Sequence, residues 1–273
     1  MTCCHSPRLR NKARLGLVTL ILSTSTLADH VPDHARLEWG IGLAALSTAD
    51  YRGSSNTQNT LVPLPYVKYR GKRLRIDDGV EGRLFDSPDL LVTISGNGSL
   101  PSSDGNDERS GMDELDATVE IGPSIEYRLR HQSDTELWLE LPLRFALNAE
   151  NSFELLGEVF HPRLSWRLPA QHKYDWKLQL RGGPLFADDA FHAYYYDVTA
   201  ADVTTTRPAY SAPAGYSGMR IDFTYSRRYD RLWLGGFVRY DNLDGSVIED
   251  SPLVTNSDSW MLGIGLAWVI SEG

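Results

Sequence analysis

Ser259-Trp260-Met261-Leu262-Gly263-Ile264-Gly265-Leu266-Ala267-Trp268-Val269-Ile270 decides the fold. Trp260, Leu262, Ile264, Leu266, Trp268 and Ile270 alternate with Met261, Gly263, Gly265, Ala267 and Val269. Successive strand side chains point to opposite faces, so this segment has one large apolar face and one small face. A tryptophan stands near each end of the large face. Indole rings settle at the headgroup level on both sides of an apolar band about 25 Å tall, which marks a strand that crosses an outer membrane.

The alternation recurs upstream. In 115–130, Leu115, Ala117, Val119, Ile121, Ile125, Tyr127 and Leu129 oppose Asp116, Thr118, Glu120, Ser124, Glu126, Arg128 and Arg130. In 137–147, Leu137, Leu139, Leu141, Leu143, Phe145 and Leu147 oppose Trp138, Glu140, Pro142, Arg144 and Ala146. Residues 176–181 and 219–226 repeat the pattern, 37–45 and 232–240 carry it with more glycine, and 61–70, 90–99 and 153–168 fit less cleanly. A wide soluble barrel with these faces turned inward would leave a void, whereas a polar, solvated lumen removes that problem.

Loop lengths supply a parity test, because such barrels have short periplasmic turns and longer outer loops. Long connections fall at 47–59, 100–114, 188–215 and 243–257, and tight ones at 71–72, 87–88, 131–134, 169–173 and 229–230. The parity closes only if 73–86 is split at the turn dipeptide Asp78-Gly79. The reading is therefore all-β, a transmembrane antiparallel up-and-down β-barrel of 12 strands. A 10-strand core with that short hairpin bent inward is the alternative. This topology places Trp39, Tyr127, Trp166, Trp176, Tyr225 and Trp268 near the periplasmic ends, and Phe145, Tyr240 and Trp260 near the outer ends, as two aromatic girdles.

The N-terminus reads as a secretory signal: Arg8, Arg10, Lys12 and Arg14 precede the apolar run Leu15 to Leu22, too short to span a bilayer as a helix. Cleavage is expected after Ala28, giving a signal peptide at 1–28 and a barrel domain at 29–273. Both cysteines, Cys3 and Cys4, leave with the signal, so no disulfide framework is expected. Loss of the four signal cations takes the formal charge from −9 to −13. An acidic chain is a poor partner for nucleic acid.

Once these segments are laid out, the chain resembles the MltA-interacting protein family, also called the MipA/OmpV family of outer-membrane proteins. The matching stretches are Trp39-Gly40-Ile41-Gly42-Leu43, Asp50-Tyr51-Arg52-Gly53-Ser54 and Val62-Pro63-Leu64-Pro65-Tyr66-Val67-Lys68-Tyr69-Arg70 with Gly79. Further matches are Gly122-Pro123, Glu126-Tyr127-Arg128, Gly183-Pro184, Leu234-Gly235-Gly236-Phe237 and Asp250-Ser251-Pro252-Leu253-Val254, and the last strand keeps the Gly-x-Gly-Leu spacing. The resemblance implies an outer-membrane location and a non-enzymatic scaffold that links the membrane to peptidoglycan-remodelling enzymes. The family's namesake bridges a lytic transglycosylase and a bifunctional penicillin-binding protein. Other members are discussed as porin-like channels or adhesins. Expected partners are outer-membrane lipid and lipopolysaccharide, with a murein hydrolase and a murein synthase. One departure is the end of the chain: Ser271-Glu272-Gly273 follow Ile270, where such proteins usually stop on an aromatic residue.

Candidate sites follow from the strand phase. Glu38, Glu120, Glu126, Arg128, Glu140, Arg144, Lys177, Arg181, Arg220, Asp222 and Arg239 take the lumen phase. Single-sign rings select ions, whereas mixed signs favour an ion-paired wall over a selectivity lining. Acidic outer-loop clusters, Asp104, Asp107, Glu108, Asp113 and Glu114, then Asp244, Glu249, Asp250 and Asp258, lack EF-hand spacing and read as solvated charge. Tyr194, Tyr195 and Tyr196 are expected to fold the longest loop over the mouth. The mature histidines His30, His34, His131, His161, His172 and His192 form no nucleophile–base pattern. His161 and Ser165, four residues apart on one strand face, stand more than about 10 Å apart. No catalytic, metal or cofactor site is expected.

Overall fold

The computed structural model describes residues 36–272 except 72–73, 77–79, 103–104, 133 and 170–174. The signal and its cleavage site lie outside the described residues. The strands are β1 (Arg36–Ala49), β2 (Thr57–Arg70), β3 (Leu74–Ile76), β4 (Val80–Asp86), β5 (Leu90–Ser99), β6 (Thr118–Gln132) and β7 (Thr135–Asn148). They continue as β8 (Leu155–Phe160), β9 (Arg163–Leu168), β10 (Lys177–Ala187), β11 (Gly215–Tyr229), β12 (Leu232–Asn242) and β13 (Asp258–Glu272). Among the described residues there is one helix, α1 (Asp189–Tyr196), in the outer loop between β10 and β11.

Among the described residues every pairing is antiparallel, and the ladder runs from β11 through β12 and β13 to β1, on through β7, and back through β10 to β11. β8 and β9 both pair with β7 and with β10, so they are two halves of one barrel strand broken at His161-Pro162. Pro162 offers no N–H to the ladder at this break. Counted this way the barrel has 12 strands, and the 73–86 segment divides where parity required.

The alternation has the expected physical outcome. Trp260, Leu262, Ile264, Leu266, Trp268 and Ile270 are exposed on the outside, while Gly265, Ala267 and Val269 are buried within. The two tryptophans on this strand, Trp260 and Trp268, are 57% and 53% exposed. Trp39, Tyr127, Phe145, Trp166 and Trp176 are exposed as well. Tyr225 and Tyr240 are half-buried against girdle neighbours, Trp176 at 6.1 Å and Trp260 at 4.8 Å between ring centroids.

One reading is corrected. Leu115 does not begin an outward strand face; β6 starts at Thr118, and Leu115 is buried in the outer cap. It precedes the first ladder pair of β5 with β6, Ser99 with Thr118.

Candidate functional site: the lumen and its outer roof

The inward faces of β6, β7 and β9 meet in one network. Glu140 accepts from Arg163 Nε at 2.6 Å and from Arg167 Nη2 at 2.5 Å. Arg167 Nη2 also donates to Glu126 at 2.7 Å. Below it, toward the periplasmic end, Trp138 is fully buried and carries the Arg167 guanidinium 4.8 Å over its ring, with that of Arg128 at 5.6 Å. Its indole N–H donates to Glu136 at 2.6 Å.

On β11 and β12 the pairs are Arg239 with Asp222 at 2.6 Å and Arg220 with Asp241 at 2.8 Å, and Arg52 from the first outer loop also lies 2.8 Å from Asp241. Arg144 stands 3.7 Å from Glu120, and Arg228 donates to Glu38 at 2.5 Å. The lumen-phase residues are thus placed as follows. Glu120, Glu126, Glu140, Arg144, Arg181, Arg220 and Asp222 are buried; Glu38, Arg128, Lys177 and Arg239 are half-buried. Most of these charges pair with a partner of opposite sign on an adjacent strand of the wall instead of forming a ring of one sign.

Sequence reasoning missed Glu136, Arg163, Arg167, Arg228 and Asp241, which are buried on the inward faces, Arg228 paired with Glu38 and Asp241 with Arg220. The signal for Arg163 and Arg167 was their alternation with Leu164 and Trp166, obscured by the break at Pro162 and by Glu158, which is exposed on the outer face. His161 and Ser165 are both buried and share no hydrogen bond in the structure. His131 is exposed beside Glu136, and His172 lies outside the described residues. No group of three metal-ligating side chains occurs among the described residues.

Above the network the outer loops knit into a roof. Its apolar core is Tyr51, Leu115, Tyr195, Tyr196, Val198, Ala212, Leu243, Ile248 and Leu253. Tyr51 donates to the Leu253 carbonyl at 2.8 Å, Tyr196 to that of Arg52 at 2.9 Å, and Ser251 to that of Tyr196 at 2.8 Å. Arg109 donates to the Tyr195 carbonyl, and Arg207 bonds the carbonyls of Glu108 and Ser110. Burial pushes the Tyr196 phenol up to about 12 and that of Tyr51 higher still, so both remain donors.

The helix α1 that carries the three tyrosines was not foreseen. Asp188 caps it by accepting from the Phe191 N–H at 2.9 Å. The cap seats on Gly157 of β8, whose φ is +141°, and a Cβ there would stand 2.3 Å from Asp188 Oδ1. Only glycine permits both that backbone and that approach. Among the acidic loop residues, Glu108 joins three loops by accepting from Ser55 N–H at 3.0 Å and from Thr255 Oγ1 at 2.7 Å. Partial burial pushes this carboxyl up, but the bonds from Ser55 and Thr255 outweigh it and hold it at about 2. Asp104 lies outside the described residues.

Between the network and the roof lies a chamber of about 100 Å³. Its lining mixes apolar Val159, Leu185 and Phe191 with Thr48, Asn97 and Glu120.

The family model described as MltA-interacting protein MipA matches residues 41–270. A curated relative, the outer membrane protein Omp26La of Vibrio anguillarum, is 22% identical over 208 residues, covering 73% of this chain and 75% of the relative. Among solved structures, a bacterial polysaccharide outer membrane secretin aligns with 89% of this chain and all of its own, at 8% identity and a TM-score of 0.43. An outer membrane channel from Pseudomonas putida F1 aligns with 90% of this chain and all of its own, at 11% identity and a TM-score of 0.37. At such scores the structural likenesses carry no argument about function.

Proposed function

The chain belongs to the MltA-interacting protein family of outer-membrane β-barrels, and from that premise we propose that it is a non-enzymatic scaffold that docks peptidoglycan-remodelling enzymes at the periplasmic face. The observation that carries this reading is the obstructed lumen. Inward side chains at mid-barrel, Trp138, Glu140, Arg144, Ser165, Arg167 and Arg181, are buried against one another, and the roof of Tyr51, Tyr196, Leu243 and Leu253 covers the outer mouth. A barrel closed twice over is ill suited to passing solutes. What remains available to a partner is the periplasmic rim, where Arg130, His131, Gln132, Asp134, Asp230 and Arg231 are exposed. In this reading the partners are a murein lytic transglycosylase, in keeping with the family resemblance, and a murein synthase.

The test combines two measurements on the refolded full-length barrel. The scaffold reading expects near silence in planar-bilayer recordings and retention of a lytic transglycosylase on the immobilised barrel, weakened by the paired substitution Arg130→Glu and Arg231→Glu. A large, stable open conductance without transglycosylase retention would replace the scaffold with a porin-like channel.

A further inference from the structure

β11 ends on Ser226-Arg227-Arg228-Tyr229. Strand alternation sends the two arginines to opposite faces. Arg228 turns inward, is buried, and pairs with Glu38 at 2.5 Å. Arg227 turns outward, in phase with Met219, Ile221 and Phe223, all exposed. The β10–β11 register runs unbroken from Lys177–Ser226 to Leu180–Phe223, and on the other side Arg227 pairs with Leu234 of β12. From Met219 to Tyr229 the other outward residues of β11 are uncharged, so Arg227 is the one cation on the lipid side of this strand.

Its depth is defined. Trp176 and Tyr225, with ring centroids 6.1 Å apart, belong to the periplasmic girdle, and β11 turns back just beyond Tyr229. The turn is pinned: the Val269 N–H donates to the Arg231 carbonyl at 2.7 Å, and Arg228 Nε donates to that of Asp230 at 2.6 Å. An outward arginine is costly at the bilayer midplane and tolerated near an interface. At this depth the guanidinium meets the headgroup layer of the periplasmic leaflet.

The guanidinium is also held. It stands 4.7 Å from the ring centroid of Tyr229 and 5.2 Å from that of Trp176. Both distances lie within the range of cation–π attraction, about 6 Å. Rings stack on the flat faces of a guanidinium, whereas its N–H donors lie along its edge in a fork that matches phosphate oxygens. The rings therefore order the side chain before a ligand arrives, which lowers the entropic cost of binding. Toward the midplane Leu180, Ile221 and Phe223 continue the same outward face and are exposed.

We propose that Arg227, flanked by Trp176 and Tyr229, is a headgroup site for a phospholipid of the periplasmic leaflet. The phosphodiester accepts from the edge of the guanidinium, and the acyl chains lie along Leu180, Ile221 and Phe223. Charge and depth together select this occupant: the cation matches the phosphodiester, and the apolar surface next to it matches the chains. The site lies on the lipid side of the barrel and does not rest on the scaffold reading.

Native mass spectrometry of the refolded barrel, released from detergent micelles, tests it. The probes are dioleoylphosphatidylglycerol and dioleoylglycerol, which carry the same chains with and without phosphate. The wild type should retain the phospholipid about fivefold more than the diacylglycerol, the factor expected of one arginine at a membrane surface. Arg227→Gln should erase that preference. Trp176→Leu with Tyr229→Leu keeps the cation, removes the rings and should lower it. Excess inorganic phosphate should leave the phospholipid in place. Equal retention of the two lipids by the wild type overturns the proposal. So does an unchanged preference in Arg227→Gln, the result expected if the arginine serves only contacts within the protein. An unchanged preference in the ring-less variant, or displacement of the lipid by free phosphate, overturns it as well. Heat-modifiable migration verifies folding. Arg227→Lys, which keeps the charge and loses the fork, stands in if Arg227→Gln fails to fold; it should lower the preference, and an unchanged value overturns the proposal.

Discussion

Removal of the Glu140 carboxylate is the sharpest perturbation of the lumen. Glu140 is 1% exposed and accepts from two guanidinium groups, Arg163 at 2.6 Å and Arg167 at 2.5 Å. Hydrogen bonds to charged groups contribute about 1.5–3 kcal/mol each. Breaking a buried ion pair from one side costs about 3–5 kcal/mol, because the remaining charge stays buried and uncompensated. Arg167 keeps Glu126 as a partner at 2.7 Å, which places Glu140→Ala near the lower bound, about 3 kcal/mol, or about 150-fold in the unfolding equilibrium. Glu140→Gln keeps acceptor oxygen and loses charge, so it should fall between. Urea unfolding of the barrel in liposomes, followed by tryptophan fluorescence, should show a lower midpoint with an unchanged slope. Glu114→Ala, on the exposed outer loop, is the control and should change little. If Glu140→Ala and Glu114→Ala unfold at the same urea concentration, the network is not a structural element of the lumen and the reasoning fails.

Three further outcomes are expected. Leu141→Arg should impair assembly by about 2–4 kcal/mol, since Leu141 pairs with the lipid-facing Ile125, whereas Arg144→Leu should fold; heat-modifiable migration compares them. Mass spectrometry of protein extracted from outer membranes should find a mature N-terminus at Asp29, and an uncleaved chain or a start far from it would refute the signal assignment. The Glu108 carboxyl is held below its ordinary value, so its contribution to the roof is full above about pH 4.5 and is lost as pH falls through about 2; pepsin nicking of the 100–117 loop should rise steeply near pH 2, and Glu108→Gln should raise nicking at pH 4.

The barrel was legible where a single period governs the chain. β13, β6 and β7 show it because a wall strand meets lipid on one side and polar lumen on the other, and nothing else dictates its residues. The hairpin at β3 and β4 was legible from loop parity, a global constraint that local propensity does not contain. The roof was not legible. Leu243, Ile248 and Leu253 are fully buried, yet they lie in a turn-rich stretch with no repeating period, and their partners Tyr51 and Tyr196 are far away in sequence. The helix α1 spans eight residues, too short for an amphipathic period to stand out. Arg163 and Arg167 were hidden by the break at Pro162, which interrupts the alternation that would have assigned their phase.

The ion-paired lumen is better understood as a device for register than as a source of net stability. Pairing buried charges roughly offsets their desolvation, so the network contributes little beyond an apolar filling of the same volume. Its consequence is different for the misaligned chain. A slip of one residue turns every inward side chain outward. In β7 that slip would carry Glu140 and Arg144 into lipid, and in β9 Arg163 and Arg167, where an arginine near the midplane costs about 2–4 kcal/mol. An apolar lumen would tolerate the same slip, because both faces would suit hydrocarbon. Charges of both signs on β6, β7, β9, β11 and β12 therefore penalise wrong pairings strand by strand, and their mutual pairing in the correct register is what obstructs the lumen. Neutralising Glu126, Glu140, Arg163 and Arg167 together should accordingly yield a barrel whose equilibrium stability changes less than that of Glu140→Ala, yet which folds into more than one species. Band heterogeneity in heat-modifiable migration would register it, and a single sharp folded band would refute it.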